Sequence, residues 1–386
     1  MLVASQVERI AESSAPILSV YLNTRIKNSS RHPRTSAHLV WFRKETTAIA
    51  ATLSSEDRTK FQKEADRVDL FLERRRPAEA GLAIFAAPNT WTVIPLQASF
   101  ENAISWGRPS VGQLFRLLNE HRPYGIVTVD HQAARFFVYR LGELTALGEK
   151  AFTINESAWK KKELGHVIGQ RVRKTRGSNR ELFENRLEAQ YERLCHETAE
   201  QAVKFWKECN FAGLFLAGPE RLVNFIHSRI AQPFSALVVA VSDDLVNFSR
   251  NSILRRLETR IGEAEQKRQL AMVEQLLAEE GKFGTNPDEI LARLQNGSVR
   301  TLVVAADLDL HLRECANCGF ATRSADPACV SCGGELRNVS LLEILPYLAS
   351  AHHMKVEFVS GEAALLLTKS GGMGGWSRLS RMKAAG

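Results

Sequence analysis

The chain has no long apolar run. Its longest apolar stretches, such as residues 236–241, fall far short of the eighteen or so residues that a membrane-spanning helix needs, so no membrane partner is expected. Nor does the start, Met1 to Arg9, show a basic flank followed by an apolar core, so a secretory signal is not expected either. Cysteine is scarce, with six in 386 residues, and four of those fall in one 18-residue window. That distribution is not a disulfide framework, and it fits a reducing, cytoplasmic compartment. Charge of one sign is not dominant: 51 Lys and Arg face 43 Asp and Glu, for a net charge of +8. Such a modest excess permits a nucleic-acid partner without requiring one. Repeats of 20 to 50 residues are also missing, which excludes a solenoid or propeller.

What is present is an alternation of strand-like and helix-like segments. Residues 17–22 (Ile-Leu-Ser-Val-Tyr-Leu) read as a strand, 37–76 as helices, and 81–86 with 90–96 as a strand pair turned at Pro88-Asn89. A short helix follows near 113–118. A second block opens with strands at 124–130, 134–139 and 143–151. It continues with one long amphipathic helix over 181–210 and further strands at 211–217 and 236–241. A third block has a long charged helix over 249–281, a strand at 299–306, a helix at 341–352 and a strand at 355–359. The expectation is an α/β (α+β) chain of three domains, 1–122, 123–248 and 249–386.

Two segments carry chemistry. Cys315, Cys318, Cys329 and Cys332 form C-x2-C-x10-C-x2-C, with Gly319 after the first pair and Gly333-Gly334 after the second. Each pair can present two thiolates to one tetrahedral ion, and the glycines allow the tight turns that bring amides onto sulfur. A structural Zn²⁺ is expected, because four thiolates leave no open position for a reacting water. The second segment, 160–180, holds Lys160, Lys161, Lys162, Arg171, Arg173, Lys174, Arg176 and Arg180 against the single acid Glu163. Dense positive charge without apolar period points to a loop that meets a phosphate backbone, the alternative being a solvated linker. Cys195-His196 is no nucleophile pair, since adjacent helical residues point about 100° apart.

Together these segments resemble the archaeo-eukaryotic class-1 peptide chain release factors and Pelota, and above all the bacterial branch of that superfamily. The likeness lies in Ser19-Val20-Tyr21-Leu22-Asn23-Thr24, in Tyr124-Gly125-Ile126-Val127-Thr128-Val129-Asp130 and in Thr198-Ala199-Glu200-Gln201-Ala202. It continues in Ala212-Gly213-Leu214-Phe215-Leu216-Ala217-Gly218, in residues 299–308, in the cysteine knuckles and in the closing Gly371-Gly372-Met373-Gly374-Gly375. The resemblance implies an RNase-H-like middle domain, without nuclease chemistry because Asp130 lacks carboxylate partners. It also implies a C-terminal α-β-α sandwich, like that of kink-turn-binding ribosomal proteins, bearing the zinc insertion. The closing glycines would form either a partner-facing surface or a strand-end turn.

The resemblance further implies a ribosomal partner, rRNA and tRNA included, and a companion translational GTPase. In release factors the middle-domain loop ends in Gly-Gly-Gln, whose amide positions water against the peptidyl-tRNA ester. Here the tip falls on Gly177, Ser178 and Asn179, or one residue earlier, and no Gly-Gly-Gln is present. The Asn23 to Ser29 segment superficially resembles the family's Asn-Ile-Lys-Ser codon-reading motif but follows the first strand directly, so it reads as a solvated basic loop. Three functions stay open: a non-catalytic factor occupying the A site of idle or stalled ribosomes, as in hibernation or silencing; a peptidyl-tRNA-hydrolysing rescue factor with an altered tip; and an RNA-binding interaction module.

Overall fold

The computed structural model describes residues 9–11, 15–25, 36–75, 78–130, 132–151, 178–241, 245, 248–278, 282–283 and 286–378. They form two compact units, one made of residues 1–121 and 262–386, the other of residues 122–261.

In the first unit the strand β1 (Ile17–Asn23) lies at the centre of an antiparallel sheet. Its partners are β2 (Gly81–Ala87), β3 (Thr90–Leu96) and β4 (Ala103–Gly107), in the order β3-β2-β1-β4. β1 and β2 are covered on both faces, which is why they read as continuous apolar runs. One face meets helices α1 (Ala37–Thr52) and α2 (Ser55–Arg74): Leu18, Val20, Leu82 and Ile84 pack on Leu39, Phe42, Phe61 and Val68. The other face carries Tyr21, edge-on to Phe85 and Phe100. Ser54 caps α2 by accepting the Asp57 amide at 3.2 Å. Ser36, before α1, instead holds the buried His38 ring at 3.2 Å.

The C-terminal part of this unit has a second sheet, of β10 (Lys282–Phe283), β11 (Val299–Ala305), β15 (Lys355–Val359) and β16 (Met373–Ser377), in the order β10-β16-β11-β15. β11 and β15 run parallel, while β16 is antiparallel to β11. Alternate side chains of β11 point to opposite faces. Leu302 and Val304 join a core with helices α7 (Pro287–Gln295) and α8 (Leu341–Ala351). Val303 and Ala305 pack instead on Val273 and Leu276 of α6 (Arg250–Ala278) and on Ala363 and Leu367 of α9 (Gly361–Thr368). The sheet therefore has helices on both faces. Helix α3 (Gly112–Glu120) sends Phe115 into the first of these cores, edge-on to Phe358, and Arg116 donates to the Ala306 carbonyl at 3.2 Å.

The second unit has a five-stranded sheet. Its strands are β5 (Tyr124–Val129), β6 (Ala133–Arg140), β7 (Glu143–Ala151), β8 (Gly213–Ala217) and β9 (Val238–Val241), in the order β7-β6-β5-β8-β9. β5, β6 and β7 are antiparallel; β5, β8 and β9 are parallel. Helices α4 (Ser178–Cys209) and α5 (Glu220–Arg229) close over Val127, Val129, Leu214 and Leu216. The family-like glycines serve this packing. A Cβ on Gly125 would stand 2.4 Å from the Phe211 ring, and one on Gly218, at φ +152°, 2.2 Å from the Val129 carbonyl oxygen.

Burial holds the His38 imidazole below its ordinary pKa of 6.5. The unfolded chain then takes up the proton first as pH falls, so this contribution to stability is present above about pH 6.5 and lost below it. Replacing His38 with Gln is expected to flatten the loss of thermal stability between pH 7 and 5, measured by melting curves; an unchanged slope would refute it.

Candidate metal centre and the basic segment

A small third sheet of the first unit builds the cysteine site. It comprises β12 (His311–Cys315), β13 (Ala321–Thr322) and β14 (Leu336–Ser340), in the order β13-β12-β14. Cys315 ends β12, and the other three cysteines sit in the two turns between β12 and β14. The four sulfurs lie within 4.8 Å of one another, with Cys315 to Cys332 at 3.5 Å and Cys318 to Cys329 at 3.6 Å. Tetrahedral sulfurs about 2.3 Å from a zinc ion would stand about 3.8 Å apart, so the spacing suits such an ion. Cys315 and Cys329 are buried; Cys318 and Cys332 are exposed.

The backbone is turned to fit. Gly319 and Gly333 adopt φ of +72° and +73°, and their amides donate to the carbonyls of Cys315 and Cys329. The Asn317 amide donates to the Cys315 sulfur at 3.4 Å. Gly334 passes so close that a Cβ there would meet the Cys315 sulfur at 2.9 Å and the Cys332 sulfur at 3.3 Å. The Cys318 amide, helped by that of Asn317, draws the Cys315 thiol down to about 6. At Cys332 the Gly334 amide pulls down, yet the Cys318, Cys315 and Cys329 thiols outweigh it and push the group up to about 12. One thiolate is favoured and its neighbours resist the next, an arrangement that a cation among the sulfurs would relieve.

Lys160, Lys161, Lys162, Arg171, Arg173, Lys174, Arg176 and Gly177 lie outside the described residues. Helix α4, expected from residue 181, begins at Ser178, so Ser178, Asn179 and Arg180 occupy its first turn. In the N-terminal segment, Thr24 donates to the Glu79 carbonyl at 2.6 Å and Arg25 to that of Gln97 at 3.2 Å. These residues anchor the end of β1 rather than standing free in solvent; residues 26–29 lie outside the described residues. Asp130 has a local task too, accepting the amides of Gln132 and Ala133 at 2.6 and 2.7 Å in the β5–β6 turn. Cys195 is buried, and burial raises its thiol, whereas His196 faces Glu200 at 3.4 Å on the surface.

The closing glycines supply the strand-end turn and continue into the strand itself. Gly371 and Gly372, at φ +106° and +78°, make the turn after α9, and Gly374 and Gly375 are buried within β16. A Cβ on Gly374 would stand 3.1 Å from Leu276. Sequence reasoning also missed Glu314, Arg108, Arg337 and Tyr347, which the fold brings together beside the knuckles. Glu314 is buried and accepts from Arg108 at 2.5 Å and Arg337 at 2.7 Å. Arg108 lies 3.4 Å above the Tyr347 ring, and the Tyr347 hydroxyl donates to the Pro109 carbonyl. Only the Glu314-Cys315 neighbourhood hinted at this in the sequence; the partners come from 23 to 206 residues away.

Residues 109–268 match bacterial archaeo-eukaryotic release factor family 10, so this stretch of the chain is release-factor-like. No curated protein matches the sequence. Among solved structures, it is similar to archaeal translation termination factor aRF1, at 14% identity over 98% of this chain and 97% of that one, with a TM-score of 0.25. It is also similar to archaeal Pelota in a ribosome-bound model with ABCE1, at 12% identity over 97% and 93%, with a TM-score of 0.42. Dom34 of S. cerevisiae, described as interacting with Hbs1, shares 10% identity over 66% of this chain and 62% of its own, with a TM-score of 0.36. Among the described residues no helix is long and apolar enough to cross a membrane.

Gly372 tests the structural role of the glycine cluster. Its φ of +78° and the 2.8 Å approach of Leu308 to a Cβ leave no room for a branched side chain. Gly372→Val is expected to cost about 1–3 kcal/mol of stability, measured by denaturant titration; a variant as stable as wild type would refute it.

Proposed function

We propose that the protein is a non-catalytic ribosome-binding factor that occupies the A site of idle or stalled ribosomes in the cytoplasm and silences or protects them. The observation that carries this reading is the basic segment 160–180, which precedes α4 inside the family-matched stretch and lacks Gly-Gly-Gln. Positive charge suits insertion among RNA phosphates. Without the long amide of glutamine, the tip has no group of the right reach to set water against an ester, and a misplacement of about 1 Å can cost roughly 100-fold in rate. The Lys and Arg residues of the segment are the proposed rRNA contacts. A translational GTPase is the proposed companion.

The strand order β7-β6-β5-β8-β9, antiparallel on one side of β5 and parallel on the other, supports an RNase-H-like reading of the middle segment. Helices on both faces of the β11 sheet support an α-β-α reading of the last. Separate sheets in residues 17–107, 124–241 and 282–377 support the division into domains 1–122, 123–248 and 249–386. The sulfur spacing and the turned glycines support a structural Zn²⁺ held by Cys315, Cys318, Cys329 and Cys332. When bound, the ion neutralises the thiolates and ties the two turns together.

Two measurements test these readings. Elemental analysis of the purified protein is expected to give about one zinc per chain, lowered together with thermal stability by Cys315→Ser or Cys332→Ser; a folded, metal-free protein under reducing conditions rejects the site. On stalled ribosome–nascent-chain complexes, the protein is expected to bind without releasing peptide. Neutralising Arg171, Arg173, Lys174 and Arg176 together should weaken binding and reduce the slope of log affinity against log salt by roughly three. Fast peptide release abolished by Asn179→Ala would overturn the non-catalytic reading in favour of a hydrolytic rescue factor.

A further inference from the structure

We propose that the four-cysteine centre is a metal-gated clasp, through which a bound ion holds the N-terminal sheet onto the C-terminal segment, with Glu314 as the coupling residue. The inference rests on the zinc reading above and adds a consequence that reading does not contain.

The argument starts from adjacency. Cys315 is a ligand and Glu314 is the residue before it on β12, so the two side chains project to opposite sides of one short strand. Cys315 faces the other sulfurs. Glu314 faces Arg108, at the end of β4, and Arg337, its cross-strand neighbour on β14. The Glu314 carboxylate is only 5% exposed, and enclosing it is costly unless cations partner it, as Arg108 and Arg337 do. Its position along the strand is thus set by the same few residues that set the Cys315 sulfur.

β12 pairs with β14 over all five of its residues, and Leu312 and Ala321 join the core beneath, so it is the connection between the two strands that an ion chiefly holds. β13 has two residues, pairing Arg313 with Thr322 and Glu314 with Ala321. Residues 316–335 form the long connection from β12 to β14, and Cys318, Cys329 and Cys332 all lie in it. A metal clip across such a connection removes much of the entropy that favours opening it. With no ion, nothing bridges the sulfurs of the two turns, and the end of β12 loses that tie.

Fraying at residues 314–315 would be felt in the N-terminal sheet through the segment 105–110. The Ser110 amide donates to Ser19 Oγ at 3.1 Å, and the Tyr21 hydroxyl donates to the Ser110 carbonyl at 2.7 Å. On the other side, Arg108 binds Glu314 and stacks on Tyr347, which donates to Pro109. This six-residue stretch therefore joins the centre of the β1 sheet to the knuckle sheet and to α8. A cavity of about 170 Å³ lies against it, lined by Ser105, Arg108, Glu314, Arg337 and Tyr347, so the segment has room to move once the clasp opens.

Hydrogen exchange of the full chain, followed by mass spectrometry, tests this. Three samples are needed: protein loaded with zinc, the same protein after chelation under reducing conditions, and zinc-loaded Glu314→Gln. Chelation is expected to speed exchange across 312–336 and also, by about tenfold, across 105–111. Glu314→Gln is expected to keep its zinc and the protection of 316–335 while speeding exchange at 105–111 by a similar factor. Chelation that loosens 312–336 and leaves 105–111 unchanged would overturn the coupling while leaving the zinc reading intact, as would a Glu314→Gln variant indistinguishable from wild type. If chelation unfolds the whole chain, the zinc-loaded variant alone decides. Folded protein that takes up no zinc removes the zinc reading and the gate with it.

Discussion

The buried carboxylate of Glu314 is the constraint on which much of the first unit depends. A charge so enclosed is strongly unfavourable unless it is paired, and removing one partner of such a pair commonly costs about 3–5 kcal/mol. Here Arg108 and Arg337 supply the pairing, one from the N-terminal segment and one from the next strand. The two arginines make the ion triad a connector between segments more than 200 residues apart in the chain. The apolar contacts around it, Phe115 on Phe358 above all, supply attraction but less direction. An oily contact can slide by a few ångström at little cost, whereas a carboxylate held between two guanidinium groups cannot. The triad therefore does more to specify the arrangement than to strengthen it.

The same distinction explains what could be read from the sequence. β1, β2, β5, β8, β11 and β15 were legible because burial on both faces writes itself as an apolar run. The helices α1, α2, α4 and α6 were legible from their period. The C-x2-C pairs were legible because metal binding fixes spacing within a few residues, and the structure gathers their sulfurs as expected. Helices α7 and α9 were missed because they have only nine and eight residues, too few for a clear period. β16 was not legible as a strand, its glycines staying open between a partner-facing surface and a strand-end turn, because glycine disfavours a strand by composition; close packing on Leu276 and pairing with β11 override that preference. Arg108 and Tyr347 were not legible at all. Nothing local distinguishes an arginine that meets a buried carboxylate two hundred residues later.

Several family-like residues turn out to carry packing. Gly125, Gly213 and Gly218 each stand where a side chain would strike a neighbouring ring or carbonyl. Asp130 closes a turn, and Thr198 donates to the Leu194 carbonyl inside α4. These motifs report the shared scaffold and say little about chemistry. Likeness of scaffold does not by itself carry likeness of activity.

That separation bears on the choice between silencing and hydrolysis. A hydrolytic tip must hold water and ester in a near-attack geometry, which needs a group of the right length on a backbone able to present it. In this chain Ser178 and Asn179 already belong to the first turn of α4. Helical backbone fixes their φ and ψ, so the two residues give up the backbone freedom that a Gly-Gly pair retains. An asparagine amide is also one methylene shorter than glutamine's. Binding asks for none of this. Phosphate contacts by flexible lysine and arginine side chains tolerate wide variation in backbone geometry, because a screened charge interaction changes slowly with distance. Under the proposed ribosomal role, a tip without Gly-Gly-Gln that keeps its charge favours the permissive function over the exacting one, which is the physical ground for proposing occupancy of the ribosome over cleavage on it.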